Sequence, residues 1–191
     1  MQEPGLEQLQ YPVGKFVKPA VINQPVISGW IDEIAGTYEK LAALTKGLTA
    51  EQLATPYRPG GWQVQQLVHH FVDFNVNGYI RVKLALTENT PTIKPYLENK
   101  WAELPDGNNS DIQPSLIIIN GLMLRWTKLL RALNDSDMQK KIYHPEAEAE
   151  FTVAELTGNY AWHNRHHLAH IENLKMKMGW QVLPGANGAK R

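Results

Sequence analysis

The sequence predicts an all-α protein, a four-helix bundle with one long crossover connection and an extended N-terminal arm. Three observations carry this. Four long stretches repeat apolar residues at spacings of three and four, no segment sustains the alternation of a half-buried strand, and proline, glycine and capping residues punctuate the chain where those stretches begin and end. At 191 residues the chain has room for one domain with a real core, since single domains commonly run to about 100–200 residues. Residues 1–180 are read as that domain, and 181–191, with Pro184, Gly185 and Gly188, as a flexible tail.

The arm comes first. Pro4, Pro12, Pro19 and Pro25 fall in a stretch with no helical period, which predicts an extended segment laid over the body and anchored by Tyr11, Val13, Phe16 and Val17. From Ser28, the residues Trp30, Ile31, Ile34, Tyr38, Leu41 and Leu44 mark a first long helix that stops near Gly47. Thr49 with Gln52 three residues on makes a capping box for a short turn, and Arg58-Pro59-Gly60-Gly61 then breaks the chain.

The second long helix is expected from about Trp62 to Glu88. One face carries Val64, Leu67, Val68, Phe71, Tyr79 and Val82, and the other carries Trp62, Val76, Ile80 and Leu84. A helix apolar on two sides is buried on both, so one face is expected to pack in the bundle and the other to meet a partner subunit, making a homodimer. From Asn89 to Gln113 no period is sustained, and Pro91, Pro95, Pro105 and Gly107 punctuate a connection too long for a simple antiparallel hairpin. It reads as a crossover or a lid. The third helix starts near Pro114 and carries Leu116, Ile119, Met123, Trp126, Leu130 and Leu133. A short helical turn after Ser136 and an irregular Tyr143-His144-Pro145 lead to Thr152 and Glu155, a capping box for the fourth helix, which runs to Met178 and ends at Gly179.

Composition narrows the function. Nineteen basic and nineteen acidic residues balance, which removes the electrostatic footprint of a nucleic-acid binder or of a protein held to an anionic membrane. Small-molecule ligands remain. With no cysteine there is neither a disulfide framework nor a thiolate ligand, so any metal must be held by nitrogen and oxygen. The longest apolar run, Leu116 to Leu124, is broken by Asn120 and Gly121 and falls short of the roughly 18 residues of a membrane span. Glu3, Pro4 and Glu7 stand where a signal peptide would be basic and apolar, so a cytoplasmic location is expected.

The chemistry concentrates at one place. Four of the seven histidines lie within Tyr160–His170. Histidines at i and i+4 share a helical face and can converge on one cation. Two such pairs exist, His163 with His167 and His166 with His170. The apolar stripe of Val153, Leu156, Tyr160, Ile171, Leu174 and Met178 contains His163 and His167, whereas His166 falls about a right angle away, which favours the first pair as the inward one. Ordinary helix histidines are the alternative. On the second helix, periodicity does not choose between His69 and His70.

Read together, these residues carry a resemblance: Tyr57-Arg58-Pro59-Gly60-Gly61-Trp62, Val68-His69-His70, Asn77-Gly78-Tyr79-Ile80-Arg81, Trp101-Ala102-Glu103-Leu104, Tyr143-His144-Pro145 and Trp162 through Ile171. The pattern resembles the YfiT-like metal-dependent hydrolases, a branch of the DinB-like four-helix-bundle proteins, over about Tyr11 to Trp180. The resemblance implies a dimeric bundle with one divalent ion, nickel or zinc, on three histidines. It maps them to His70, His163 and His167. It also implies that relatives of this type can use a low-molecular-weight thiol such as bacillithiol as cosubstrate.

Three imidazoles leave a coordination position open, the mark of a catalytic rather than a closed site. Water bound there would act as a hydrolytic nucleophile, and a bound thiol as the nucleophile of an S-transferase. A bundle whose metal only holds helices together, with a pocket that only binds a ligand, is the third reading. The His-Glu-x-x-His of zinc proteases is absent, because Asn164 follows His163. Asp73, one turn beyond His70, is a candidate base or orienting group, Tyr143 and His144 are candidate acids, and Arg81 or Arg165 could grip an anionic substrate.

Overall fold

The computed structural model describes residues 5–108 and 111–180; the predicted tail, 181–191, lies outside them. In chain order the elements are α1 (Leu6–Gln10), α2 (Gln24–Ala35), α3 (Thr37–Thr45), α4 (Ala50–Leu53), α5 (Val64–Thr87), α6 (Glu98–Trp101), α7 (Gln113–Arg131), α8 (Asp135–Met138), β1 (Lys141–His144), β2 (Ala149–Thr152) and α9 (Val153–Met178). Four rods build the bundle: α2 with α3, then α5, α7 and α9.

Local chemistry sets their ends. The first rod begins at Gln24 rather than Ser28, because Asn23 caps it by accepting from the Val26 N–H at 3.1 Å and Pro25 sits in the first turn, where no backbone donor is required. It breaks at Gly36 into α2 and α3. The second rod begins at Val64 rather than Trp62. The Tyr57 N–H donates to the Trp62 carbonyl at 3.1 Å and the Val64 N–H to the Thr55 carbonyl at 3.1 Å, so Trp62 closes a hairpin-like loop before the helix starts. α9 starts and stops as expected: Thr152 and Glu155 cap each other, and Gly179 ends the helix at φ +64°, a left-handed conformation suited to glycine.

The rod α2–α3 packs on α7 and α9, and α5 packs on the same two. The rod α2–α3 therefore faces α5, and α7 faces α9, across the bundle's diagonals, and the crossings are made by the segments before α5 and before α9. The segment 88–112 joins the neighbours α5 and α7. The core between the rods holds Ile34, Leu41, Leu67, Phe71, Ile119, Trp126, Tyr160 and Ile171. Gly78 lets α5 sit close: a Cβ there would lie 2.4 Å from a Tyr160 ring carbon and 2.6 Å from the Trp126 ring.

Two expectations need correction. Strands are present, since β1 pairs antiparallel with β2. Each has four residues and mixed burial, too short for alternation to be readable. The arm is not wholly extended, because α1 interrupts it. It lies along α9, where the Trp162 indole donates to the Gly14 carbonyl at 3.0 Å and packs on Phe16, but Val17 is 80% exposed and anchors nothing. On the second face of α5, Ile80 is 48% exposed, while Val76 and Leu84 are half-buried. The largest exposed apolar side chains on the rods include Ile117 and Leu124 of α7. No helix among the described residues is long and apolar enough to cross a membrane.

Candidate metal centre

α5 and α9 carry the histidines, and a buried amide clamp sets the two helices against each other. Asn75 Nδ2 donates to Asn164 Oδ1 at 2.8 Å and Asn164 Nδ2 donates back to Asn75 Oδ1 at 3.1 Å. Asn164 thus occupies the position after His163 as a structural tie. Beside the clamp, His70 reaches from α5 to meet His163 and His167 from α9. Its Nε2 lies 3.3 Å from His163 Nε2, which lies 2.6 Å from His167 Nε2. One ring nitrogen from each of the three falls within 4.8 Å of the others.

Aromatic rings hold these imidazoles. Phe74 stacks on His163 with centroids 3.6 Å apart and planes at 15°, and Trp62 meets His70 nearly edge-on at 4.8 Å. Burial then sets their charge. It pushes the His70 pKa down to about 4, and it holds His163 and His167 well below the usual imidazole range, with the neighbouring histidines adding to the depression. Neutral imidazoles present lone pairs, and two nitrogens 2.6 Å apart can share only one proton. His167 Nδ1 is buried without a hydrogen-bond partner. A borderline divalent ion that favours nitrogen fits this donor set, whereas calcium or magnesium would want oxygen.

A second group, His166, His167 and His170, also brings its ring nitrogens within 4.8 Å of one another. Its outer pair, with Nε2 atoms 3.1 Å apart, is the other i, i+4 pair of the sequence. Burial lowers His166 to about 4 and His170 to about 3, and in both the positive charge of Arg58 adds to the effect. That charge opposes a cation at the second group. In the triad that spans two helices the depression comes from burial and from neighbouring histidines.

All five histidines line one pocket of about 370 Å³, together with Tyr57, Arg58 and Trp62 from the loop before α5 and Glu98 and Asn99 of α6. Gln10 and Tyr11 of the arm complete it. The segment after α5 therefore does form part of the cover.

The other sequence candidates lie elsewhere. Asp73 lines a separate pocket with His69, Asp106 and Ser115, because it stands one full turn after His69 and shares that residue's face. Burial, with Asp106 beside it, raises its pKa to about 6. His69 itself hydrogen-bonds Ser115 Oγ through Nδ1 at 2.8 Å. Tyr143 belongs to β1, where its backbone pairs with Pro91 and Ile93. His144 packs its ring on Phe151, and its Nδ1 accepts weakly from the Ala147 N–H at 3.4 Å, closing the hairpin turn. Neither lines the histidine pocket. Arg81 donates to the Tyr160 hydroxyl at 3.2 Å and Arg165 pairs with Glu33, so both expected anion grips are engaged structurally.

A helical bundle with histidines from two rods around an open pocket defines a class of metal-binding bundle proteins. The chain belongs to the DinB superfamily, whose model matches residues 33–171. A protein of Bacillus mycoides strain KBAB4 is 47% identical over 175 residues, covering 92% of this chain and all of the relative. A protein of Bacillus cereus strain B4264 matches with the same identity and coverage. Both are provisionally named metal-dependent hydrolases. Among solved structures, YfiT from Bacillus subtilis, described as "a probable metal-dependent hydrolase with an unusual four-helix bundle topology", superposes with a TM-score of 0.89 at 42% identity, covering 91% of this chain and 99% of that one.

Proposed function

We propose that the protein is a metal-dependent hydrolase of small molecules, with one nickel or zinc ion held by His70, His163 and His167. The convergence of three neutral ring nitrogens from two helices in an open pocket carries this reading, and the names of the relatives support it. When bound, such an ion supplies Lewis acidity that makes a coordinated water or thiol nucleophilic near neutral pH. The chain supplies the rest. Burial keeps the three imidazoles neutral and ready to ligate. Phe74 and Trp62 fix two of the ring planes, and the Asn75–Asn164 clamp fixes the spacing of the helices. Tyr57, Tyr11 and Trp62 line the open pocket beside them.

Thiol S-transfer is the second reading, favoured by one observation: no carboxylate follows His163 and Asp73 lies in another pocket, which leaves Glu98 on the pocket wall as the carboxylate lining the histidine pocket. The deciding experiment incubates metal-loaded protein with monochlorobimane, with and without bacillithiol, glutathione or cysteine, and separately with ester and amide substrates. Metal-dependent turnover of esters or amides without thiol is the expected result. Turnover only with a thiol would replace hydrolase by S-transferase. The chain is also proposed to form a homodimer through the second face of α5, where Ile80 is exposed and Val76 and Leu84 are half-buried; light scattering showing a monomer at micromolar concentration would reject it.

A further inference from the structure

The loop before α5 carries a half-buried cation, Arg58. Arg58 forms no ion pair among the described residues; its one hydrogen bond as donor to the backbone runs from Nη1 to the adjacent Pro59 carbonyl at 3.2 Å. Its Nε is buried without any partner. A buried N–H of this kind is costly, because that atom's hydration is lost and nothing replaces it.

The position is built. Residues 55–64 are tied into a tight loop by the Pro56–Gln63 bridge and by backbone bonds from the Tyr57 N–H to the Trp62 carbonyl, the Gly61 N–H to the Arg58 carbonyl and the Val64 N–H to the Thr55 carbonyl. The Arg58 guanidinium lies over the Tyr57 ring, 5.3 Å from its centroid, and Tyr57 packs in turn on His170 at 4.2 Å. Gly61 makes room for this fold-back: a Cβ there would meet Arg58 Cγ at 2.8 Å and the Tyr57 ring at 3.1 Å. The side chain is thereby held in the histidine pocket, close enough for its charge to act on His166 and His170. Arg81 and Arg165, by contrast, are engaged with Tyr160 and Glu33.

We propose that Arg58 is the receptor for a carboxylate, so that the pocket selects small monoanionic carboxylate substrates and holds the anionic end beside the metal-ligating histidines. This names the substrate class of the hydrolase reading and rests on it. A planar guanidinium matches a carboxylate through parallel N–H···O bonds, and its unpaired Nε is a free donor for one of them. Glu98, which lines the same pocket, disfavours a second negative charge and so favours a monoanion over a dianion such as phosphate.

The test compares two ligands that differ only in charge, N-acetylglycine and N-acetylglycinamide, with inorganic phosphate as a third. Each is titrated by NMR against metal-free and nickel-loaded protein, in wild type, Arg58→Met, Arg58→Lys and His167→Ala. N-acetylglycine should bind wild type at least about tenfold tighter than its amide and tighter than phosphate, in the metal-free state as well as the loaded one. Arg58→Met should erase that preference, and Arg58→Lys should retain part of it, which shows that the loop still folds. His167→Ala should leave the preference intact in the metal-free state, so loss of the metal site and loss of the anion site read out separately. Equal affinity for acid and amide in wild type, or a preference unchanged in Arg58→Met, overturns the proposal. Tighter binding of phosphate than of N-acetylglycine would overturn the monocarboxylate assignment.

Discussion

Asn164→Ala should weaken the protein by breaking the tie between the two helices that carry the histidines. Asn75 and Asn164 are 0% and 2% exposed, so water does not take over the lost bonds. In the variant, Asn75 Nδ2 keeps its bond to the Phe71 carbonyl at 2.7 Å, but Asn75 Oδ1 loses its only donor. One buried unsatisfied acceptor costs about 1–3 kcal/mol, and the missing amide volume adds a small cavity cost, so a loss of about 2–3 kcal/mol is expected. Urea unfolding of the metal-free protein measures it. Asn75→Ala should cost a similar amount. The double variant should cost less than the sum by about 1–2 kcal/mol, because removing both partners leaves no orphaned amide across the interface. Single-variant losses below about 0.5 kcal/mol, or strict additivity, would refute the clamp.

Acidification should destabilise the metal-free protein over a defined window. Burial lowers His70 and His166 to about 4, against about 6.5 in the unfolded chain. Between those values the unfolded chain binds protons that the folded chain refuses. The stabilisation is therefore complete above about pH 6.5 and is lost as pH falls toward about 4, at up to about 1.4 kcal/mol per pH unit for each such histidine. Urea midpoints that stay flat across this range would contradict it. Gly78→Ala should lower the thermal midpoint through a cost of about 1–3 kcal/mol, since the added methyl enters the space of the Tyr160 and Trp126 rings; an unchanged midpoint would mean those rings move freely.

The bundle was legible because its signals are local. Capping at Thr152 and Glu155, the stop at Gly179 and the three-four spacing through α7 each need only a few neighbouring residues to be read. The His163 and His167 pair was legible for the same reason, since one helix's periodicity places both. What the sequence hides is contact between distant segments. Asn75 and Asn164 stand 89 positions apart, and nothing in either helix alone announces an amide pair. Trp62 reads as helical until its carbonyl is seen to accept from Tyr57. Asp73 appears one turn past His70, but the turn that counts is the one past His69, which carries it into the other pocket. Arg58 looks like loop punctuation among proline and glycine. Its role depends on Tyr57, His170 and Gly61 meeting in space, and its buried, unpartnered Nε distinguishes it from Arg81, bonded to Tyr160, and Arg165, paired with Glu33.

The most direct measurement is the metal content of protein purified without a histidine tag, for wild type and for alanine variants of His69, His70, His163, His166, His167 and His170. One nickel- or zinc-like ion per chain should be found in wild type and lost on substitution of His70, His163 or His167, while the His69, His166 and His170 variants keep it. Retention in His167→Ala, or loss in His69→Ala with retention in His70→Ala, would contradict the centre described.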